Sequence, residues 1–293
     1  MYNIPTAPSP ADGDCLEASN TYAYVPQNDG ASYTIDFCTG KQISDLLAGA
    51  KCLTPGGITN CGESAPPPPS WACGDLLTDT RDSYAYQTVQ IGAQCWFKEN
   101  LKYLPVVHSN SEFEARGTSQ LPGYGVYAYD GSDVPTAKLS ANYINYGVLY
   151  NWYAVDQASI CPTGWHVPSD AEFLELEEFV DSGNYENWCD PIGEPGDCGG
   201  FWYNAGGYLK QIGTAYWNSP NSGATDAYDF TALPAGWRGS LADGGSLSLT
   251  DFWSSSAFDS IDSWRRHITY SGPEILRDNF RAFYGLSVRC LEN

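Results

Sequence analysis

The stretch CPTGWHVPSDAEFLELEEFV, residues 161–180, contains the clearest helix start in the chain. Ser169 and Glu172 form an S-x-x-E capping box, and Pro168 lies directly upstream of it. Apolar residues follow at positions 173, 176, 179 and 180, whereas the acidic residues at positions 175, 177, 178 and 181 are expected to face solvent. The stretch therefore predicts a capped amphipathic helix that packs one face against a core.

His166, just before this helix, raises the question of catalysis. We expect it to be a structural residue, hydrogen-bonded in the junction between the helix and the preceding segment. The sequence contains no G-x-S-x-G or H-E-x-x-H motif. Pairs of Asp and Glu occur throughout the chain and none of them stands out, so glycosidase chemistry stays open. Because no catalytic motif is present, we expect no enzymatic activity and assign no catalytic residue.

The composition is that of a folded, strongly acidic protein. Hydrophobic residues make up 42% and aromatic residues 14% of the 293 positions, which is too apolar for a disordered chain. The formal net charge is -21, so neither nucleic acid nor an anionic membrane is expected as a partner. No run of about 18 apolar residues occurs, and the sequence therefore predicts no membrane span.

The cysteines indicate an oxidising compartment. There are 10 cysteines and 3 histidines, with no C-x-x-C pair, which argues against zinc sites and thioredoxin-type redox sites. We expect the cysteines to form disulfides throughout, and hence an extracellular or cell-surface location. We also expect that a targeting or anchoring segment ahead of residue 1 has been removed.

A proline run separates two parts of the chain. Residues 66–69 are four consecutive prolines, which predict a semi-rigid spacer, and we place a linker at residues 64–72. Before it, TYAYVP and ASYTIDFC alternate apolar and polar residues around the turn signal QNDG, so residues 1–63 are expected to form a small β-rich unit. The disulfides Cys15–Cys38 and Cys52–Cys61 are expected to stabilise this unit.

Residues 73–293 are predicted to form one α+β domain. YAYQTVQIGAQCWF, residues 84–97, is strand-like, because β-branched and aromatic residues nearly alternate. YGVLYNWYAVDQA, residues 146–158, has apolar spacing suited to a buried helix. Beyond residue 183 the regular elements are expected to be short, because Gly, Asn, Asp, Trp and Ser dominate.

Several segments of this domain together carry a family resemblance. They are, in order, DTRDSYAYQTVQIGAQCWFKENLKY, YGVLYNWYAV, CPTGWHVPSDAEFLELEEF, AGGYLKQ, FTALPAGWRG, DFWSSSAFD and YGLSVRC. They closely resemble the Fibrobacter succinogenes major paralogous domain over nearly all of residues 73–293. The resemblance implies an exported or surface domain that is joined to other surface modules.

The same segments are similar to the broader C-type-lectin-like fold, which includes formylglycine-generating-enzyme-type domains. This similarity implies two helices packed on a small twisted antiparallel sheet, with long loops on one face. It also implies that SVRC is the last strand and that Cys161 is bridged to Cys290, which leaves Cys73–Cys95 and Cys189–Cys198 as natural pairs. An even set of cysteines leaves none for the unpaired-cysteine chemistry of the sulfatase-modifying enzymes of this fold.

Residues 1–63 resemble the distal part of a type IV pilin or pseudopilin head. The resemblance lies in the pattern Y-x-Y, DG-x-x-Y-T-I-x-F, L-x-x-G and TPGGI. It implies assembly with other pilin subunits through a long apolar N-terminal helix, which would also be the missing anchor.

A calcium site is the cofactor question that the sequence leaves open. Calcium-dependent sugar-binding lectins carry an E-P-N or Q-P-D loop followed by W-N-D. This sequence matches that pattern only in part, at Glu194, Pro195, Asp197, Trp217 and Asn218. Calcium takes about 6–8 oxygen ligands. We therefore expect no sugar-binding calcium site and no cofactor. The alternative is a structural calcium held by an acidic loop.

The segment from Phe252 to Arg289 is the most informative for function. Its five arginines are interleaved with aromatic residues in an otherwise acidic chain. Tyr, Trp and Arg dominate binding hot spots, although about half of the positions must be buried if the segment forms strands. The candidate ligand-binding residues are Phe258, Asp259, Ser260, Ile261, Trp264, Arg265, His267, Tyr270, Arg277, Asp278, Phe280 and Arg281.

The resemblance carries one further implication for this segment. C-type-lectin-like domains are common targets of diversity-generating retroelements, so residues 255–282 are expected to form a hypervariable binding face. We expect an extracellular ligand-binding or adhesion protein on a pilus or cell surface, with a surface protein or a glycan as its ligand. The alternatives are a calcium-dependent glycan-binding or glycan-active domain, and a structural minor pilin.

Overall fold

The structure is a computed structural model that describes residues 23–27, 32–41, 48–54, 57–60, 71–157, 159–188, 199–239 and 243–293. The chain divides into two units, Met1–Ala72 and Cys73–Asn293. Most of the expected linker lies outside the described residues, as do Cys15, Cys61, Cys189 and Cys198.

The small unit contains an antiparallel sheet in which each strand pairs with the next along the chain. Its strands are β1 Ala23–Gln27, β2 Ser32–Thr39, β3 Gly49–Thr54 and β4 Gly57–Asn60. The first two coincide with the alternating segments TYAYVP and ASYTIDFC, as the period of a strand requires. Cys38 and Cys52 are both disulfide-bonded.

The large unit is a mixed structure with many strands and few, short helices. The strands are β5 Leu77–Asp79, β6 Tyr84–Tyr86, β7 Thr88–Ile91, β8 Gln94–Phe97, β9 Tyr124–Gly125, β10 Leu149–Asn151, β11 Trp165–His166, β12 Tyr185–Trp188, β13 Gly199–Trp202, β14 Trp237–Arg238, β15 Asp243–Gly244, β16 Leu249–Ala257, β17 Asp262–Thr269, β18 Ile275–Arg281, β19 Gly285–Leu286 and β20 Leu291–Glu292. The helices are α1 Asn110–Thr118, α2 Val134–Lys138, α3 Ala141–Tyr146, α4 Trp152–Gln157, α5 Asp170–Val180 and α6 Ala205–Leu209. The expected mixture of helices and strands is confirmed at this level.

Most of these strands belong to three sheets. Their strand orders are β15-β14-β19-β10-β9, β11-β20-β8-β7 and β12-β13-β18-β17-β16, and β5 and β6 form a separate hairpin. Strand β8 lies between two core clusters, because its successive side chains point to opposite sides. Trp96 packs in a cluster with Phe173, and Phe97 packs in a second cluster with Trp253. All four residues of β8 are therefore buried.

Helix α5 begins where the sequence predicts. The Ser169 hydroxyl accepts from the Glu172 N–H, and the Glu172 side chain accepts from the Ser169 N–H, so the capping box is formed. Three expectations about its faces were wrong: Phe179 is 53% exposed, whereas Glu177 is fully buried and Asp181, which follows the helix, is buried as well. Glu177 follows the buried Phe173 by four residues and therefore lies on the same face of the helix.

The expectation of one helix over residues 146–158 was wrong as well. Helix α3 ends at Tyr146, and Gly147 adopts a positive φ of 76° that a helix cannot continue through. Strand β10 follows, paired with β9 and β19, and α4 begins only at Trp152. A short apolar run fits a buried strand as well as a buried helix, and here tertiary pairing decides between them.

The two ends of the large unit are fastened together. Strand β20 lies between β11 and β8, with Leu291 opposite both His166 and Trp96. The disulfide Cys161–Cys290 lies beside this pairing, and Cys73–Cys95 connects the start of the unit to β8. Both are pairs that were expected. Within the described ranges, no helix is both long and apolar enough to cross a bilayer.

Candidate functional site

The segment with the candidate binding residues forms a three-stranded meander. Strands β16, β17 and β18 pair in sequence within the five-stranded sheet that also contains β12 and β13, which we call the C-terminal sheet. Arg265 lies opposite Asp278, and Arg266 lies opposite Arg277. Because side chains alternate along each strand, the candidate residues are divided between two faces of the sheet.

The outer face is the one that carries Arg265, His267, Asp278 and Phe280, all of them partly exposed. Arg265 donates to Asp278 through Nε (2.8 Å to Oδ1) and Nη2 (3.1 Å to Oδ2). Its guanidinium carbon lies 3.9 Å from the centre of the Phe280 ring. This bidentate, stacked geometry fixes the planar side chain on the sheet.

A buried carboxylate lies beside Arg265 and His267 on the same face of the sheet. Asp251 in β16 is fully buried, and its Oδ1 lies 2.7 Å from His267 Nδ1 and 3.3 Å from Arg265 Nη1. This contact with Asp251 fixes the orientation of the imidazole ring. Asp251 was not among the candidate residues, because its role follows from its cross-strand position opposite His267.

Two aromatic residues extend the outer face beyond the meander. The Phe280 ring stacks on Tyr284 at 4.6 Å between centroids, and Tyr284 meets Trp237 edge-on at 5.4 Å. Arg265, Phe280, Tyr284 and Trp237 therefore form one continuous row, which we call the outer row. Tyr284 and Trp237 were missed, because the pairing of β14 with β19 that brings them together is not visible in local sequence.

The inner face of the C-terminal sheet packs against α5 and contains two further candidates, Trp264 and Arg277. Trp264 is only 7% exposed, and the Arg277 guanidinium carbon lies 3.7 Å from the centre of its ring. Arg277 Nε and Nη2 donate to the two carboxylate oxygens of Asp170 (2.9 and 2.8 Å). These two candidates therefore hold the start of α5 on the sheet.

The same carboxylate belongs to a larger ion network. Arg266 is fully buried and donates through Nη1 to Asp170 (2.8 Å) and through Nε to Glu177 (2.5 Å). Burial acts to raise the pKa of Asp170, but hydrogen bonding from Arg277 and the charge of Arg266 outweigh it, so the pKa lies below its ordinary value. Burial raises the pKa of Glu177, although Arg266 opposes this. Two guanidinium groups thus face two carboxylates beneath the sheet.

The remaining candidates lie at the ends of the strands. Asp259, Ser260 and Ile261 form the exposed tip of the β16–β17 hairpin, where the Asp259 carboxylate accepts from the Ile261 and Asp262 N–H groups. Phe258 meets Trp264 edge-on at 4.9 Å. The half-exposed Arg281 lies at the end of β18, and Tyr270 follows β17 and packs on the core. The candidates therefore do not form one site.

His166 has a structural environment, as expected. Its Nδ1 lies 2.8 Å from Asn293 Oδ1, and its Nε2 lies 3.0 Å from Glu172 Oε1 in the capping box of α5. With both nitrogens bonded, the ring joins the helix start to the C-terminal segment.

The residues considered for calcium do not converge on a site within the described ranges. Positions 194–197 lie outside those ranges, Trp217 is buried and donates to the Ala232 carbonyl (3.0 Å), and Asn218 donates to Ser248 (2.9 Å). Among the residues that the structure describes, no group of three or more His, Cys, Asp or Glu side chains is arranged to hold a metal ion.

Of three comparisons with known proteins, one gives a match, and it covers most of the large unit. No curated protein and no solved structure is detectably similar to the chain. The model of the Fibrobacter succinogenes major domain matches residues 89–292, which is well over half of the sequence. The chain therefore belongs to the Fibrobacter succinogenes major domain family.

Proposed function

We propose that this chain is an extracellular ligand-binding or adhesion protein, and that the outer row is the centre of its binding surface. The observation that carries the proposal is the continuous row of Arg265, Phe280, Tyr284 and Trp237, each partly exposed, which runs from the C-terminal sheet across the turn after β18 to β14. Arginine and large aromatic residues contribute most of the binding energy in protein interfaces. A row of four such side chains is suited to a partner that lies across all of them.

The rigidity of the outer row supports a binding role. Asp278 and Asp251 hold Arg265, and the stacked Phe280 holds its guanidinium plane. Side chains that are already ordered lose little conformational entropy when a ligand binds, so more of the contact energy appears as affinity.

A C-type-lectin-like architecture and a pilin-like small unit belong to the same proposal. The first is supported by β20, which pairs with β11 and β8, and by the Cys161–Cys290 bridge beside it. The absence of free thiols among the described cysteines supports an oxidising, extracellular location. In this proposal the small unit attaches the protein to a pilus or cell surface, and the large unit contacts the ligand.

We also propose that residues 255–282 vary between related copies. The meander is held by backbone ladders, so outward side chains such as His267 and Phe280 can change without altering the strand pairing. The gene neighbourhood tests this point: absence of both a reverse transcriptase gene and a near-repeat of the 3′ sequence would remove it.

Binding to arrays of glycans and of cell-surface proteins tests the main proposal. We expect Phe280→Ala and Asp278→Ala to weaken any specific signal, by about tenfold for Phe280→Ala if it is a hot spot. Phe179→Ala is the matched control, because Phe179 is an exposed aromatic residue on α5, away from the outer row. Thermal unfolding of each variant separates lost contacts from lost folding. A signal that both outer-face variants retain, and that Phe179→Ala removes, would contradict the proposal.

A further inference from the structure

A cavity of about 360 Å³ opens between the end of α4, the loop that leads to Cys161, and β11. Its floor consists of the buried residues Val155, Ile160, Trp165 and Val167. The volume lies within the range of natural small-molecule sites, which combine an apolar floor with a few polar groups.

The mouth of the cavity is polar. Four of the lining residues are exposed and polar: Asp156, Gln157, Ser159 and, from β16, Ser255. Among the described residues that line the cavity, none is a lysine or an arginine, and Asp156 is the one carboxylate. A ligand that enters therefore meets negative charge and hydroxyl groups first, and apolar surface beneath them.

The wall formed by residues 159–161 is fixed from behind. Arg81 donates through Nη1 to the Ser159 carbonyl (2.8 Å) and through Nη2 to the Ile160 carbonyl (2.8 Å). Arg81 is paired in turn with the buried Asp79, at 2.6 Å between Nη2 and Oδ2, which balances its positive charge. The disulfide to Cys290 holds the next residue of the wall.

The opposite wall is fixed as well. Both ring nitrogens of His166 are hydrogen-bonded, one to Asn293 and the other to Glu172. The imidazole therefore lines the cavity without an unbonded nitrogen. The Trp165 ring packs on Phe97 at 4.6 Å between centroids. A cavity with walls held in this way is formed before any ligand arrives, which lowers the entropic cost of binding.

We propose that this cavity binds a small molecule with an aromatic or branched aliphatic body and a cationic amine. The body lies on Val155, Ile160 and Trp165, and the amine lies at the mouth beside Asp156. Anionic ligands are disfavoured by the same carboxylate and by the net charge of the chain. The site is separate from the outer row, so the failure of either proposal leaves the other standing.

Phenethylamine, phenethyl alcohol and phenylpropionate are matched probes, because they share one body and differ in the charge of the end group. We expect ligand-observed NMR titration of the 293-residue protein to rank the amine first and the carboxylate last. Asp156→Asn is expected to weaken the amine about two- to fivefold, the size of a solvent-exposed ion pair, and to leave the alcohol unchanged. Ser255→Trp is expected to abolish binding of both, since the indole covers the mouth while the Ser255 N–H keeps its bond to the Pro168 carbonyl.

Glu175→Gln is the control for charge, because it removes one exposed carboxylate on α5 outside the cavity. The proposal is overturned if the carboxylate binds as tightly as the amine, or if Glu175→Gln weakens the amine as much as Asp156→Asn does. It is equally overturned if none of the three probes binds at about 10 mM, or if Ser255→Trp leaves binding intact.

Discussion

Asp170 is the residue on which most of the charge contacts beneath the C-terminal sheet converge. It is the first residue of α5, where a carboxylate also interacts favourably with the helix N-terminus. Its oxygens accept from Arg266 and from Arg277, which come from neighbouring strands. One side chain therefore fixes the helix to two strands at once.

Changing Asp170→Asn is expected to reduce the free energy of unfolding by about 3 kcal/mol at neutral pH, because two arginines lose their shared anion. The folded-state pKa of Asp170 lies below its ordinary value of 3.8, so its stabilising effect is fully present above that value. The effect is lost as pH falls through the lowered folded-state pKa. Urea unfolding between about pH 4 and about pH 2 should therefore show a shallower pH dependence in the variant than in the parent.

Glu175→Gln on the same helix is the control, because Glu175 is exposed. It should keep the acid dependence of the parent protein. Equal slopes for Asp170→Asn and the parent would show that Asp170 does not stabilise the fold through its charge.

Among the elements, α1 and α5 start in the same way. In each helix a serine, Ser109 or Ser169, accepts from the N–H three residues later, and a glutamate, Glu112 or Glu172, accepts from the serine N–H. Such reciprocal bonds satisfy two of the N–H groups that a helix start leaves unpaired.

Ser169→Ala and Ser109→Ala are each expected to reduce the free energy of unfolding by about 1 kcal/mol, since each removes the side-chain acceptor of a cap. Guanidinium unfolding of the two variants measures the effect. Ser182→Ala, at an exposed position after α5, is the control and should change stability by less than about 0.5 kcal/mol. A neutral result at Ser169 would mean that packing alone sets the start of α5.

Local signals predicted some elements and could not predict others. The start of α5 was predictable, because the capping box and the apolar spacing lie within one short stretch. The burial of Glu177 was not, because it depends on Arg266, which is distant in sequence and adjacent only after β17 packs on the helix. Strand β10 was not predictable for the same reason, since its partners β9 and β19 are far apart along the chain.

For the proposed binding surface, too, part of the arrangement could be predicted from local sequence and part could not. The arginines and aromatics of residues 258–281 stood out by composition, and four candidate residues of this segment lie together on the outer face: Arg265, His267, Asp278 and Phe280. Which residues share that face depends on the strand register, with Arg265 opposite Asp278. Trp237 and Tyr284 are brought together by the pairing of Arg238 with Gly285. No periodicity in the sequence indicates this pairing, so their positions could not be predicted.

At the scale of the large unit, the two disulfides between described cysteines close loops of very different length. Cys161 and Cys290 are 129 residues apart, whereas Cys73 and Cys95 are 22 apart. A longer closed loop removes more conformational freedom from the unfolded chain, so the two bridges are expected to contribute unequally.

Replacing Cys161 and Cys290 by alanine is expected to reduce the free energy of unfolding by about 5 kcal/mol, against about 3 kcal/mol for Cys73 and Cys95, on the chain-entropy estimate. Denaturant unfolding of the two double variants measures both values. The shorter loop serves as the matched comparison, since both variants lose one bridge. A larger loss from the Cys73–Cys95 variant would show that local packing, rather than loop length, sets the contribution of each bridge.

The position of β20 inside its sheet also governs how the unit can be made. The ribosome synthesises residues 291–292 after every other strand of that sheet, yet they lie between β11 and β8. Until residues 290–292 have been synthesised, the facing edges of β8 and β11 stay open, and Cys161 lacks Cys290, its disulfide partner. Synthesis of β20 is therefore the step that closes this sheet, and a polypeptide truncated ahead of residue 290 has an open sheet edge that invites aggregation.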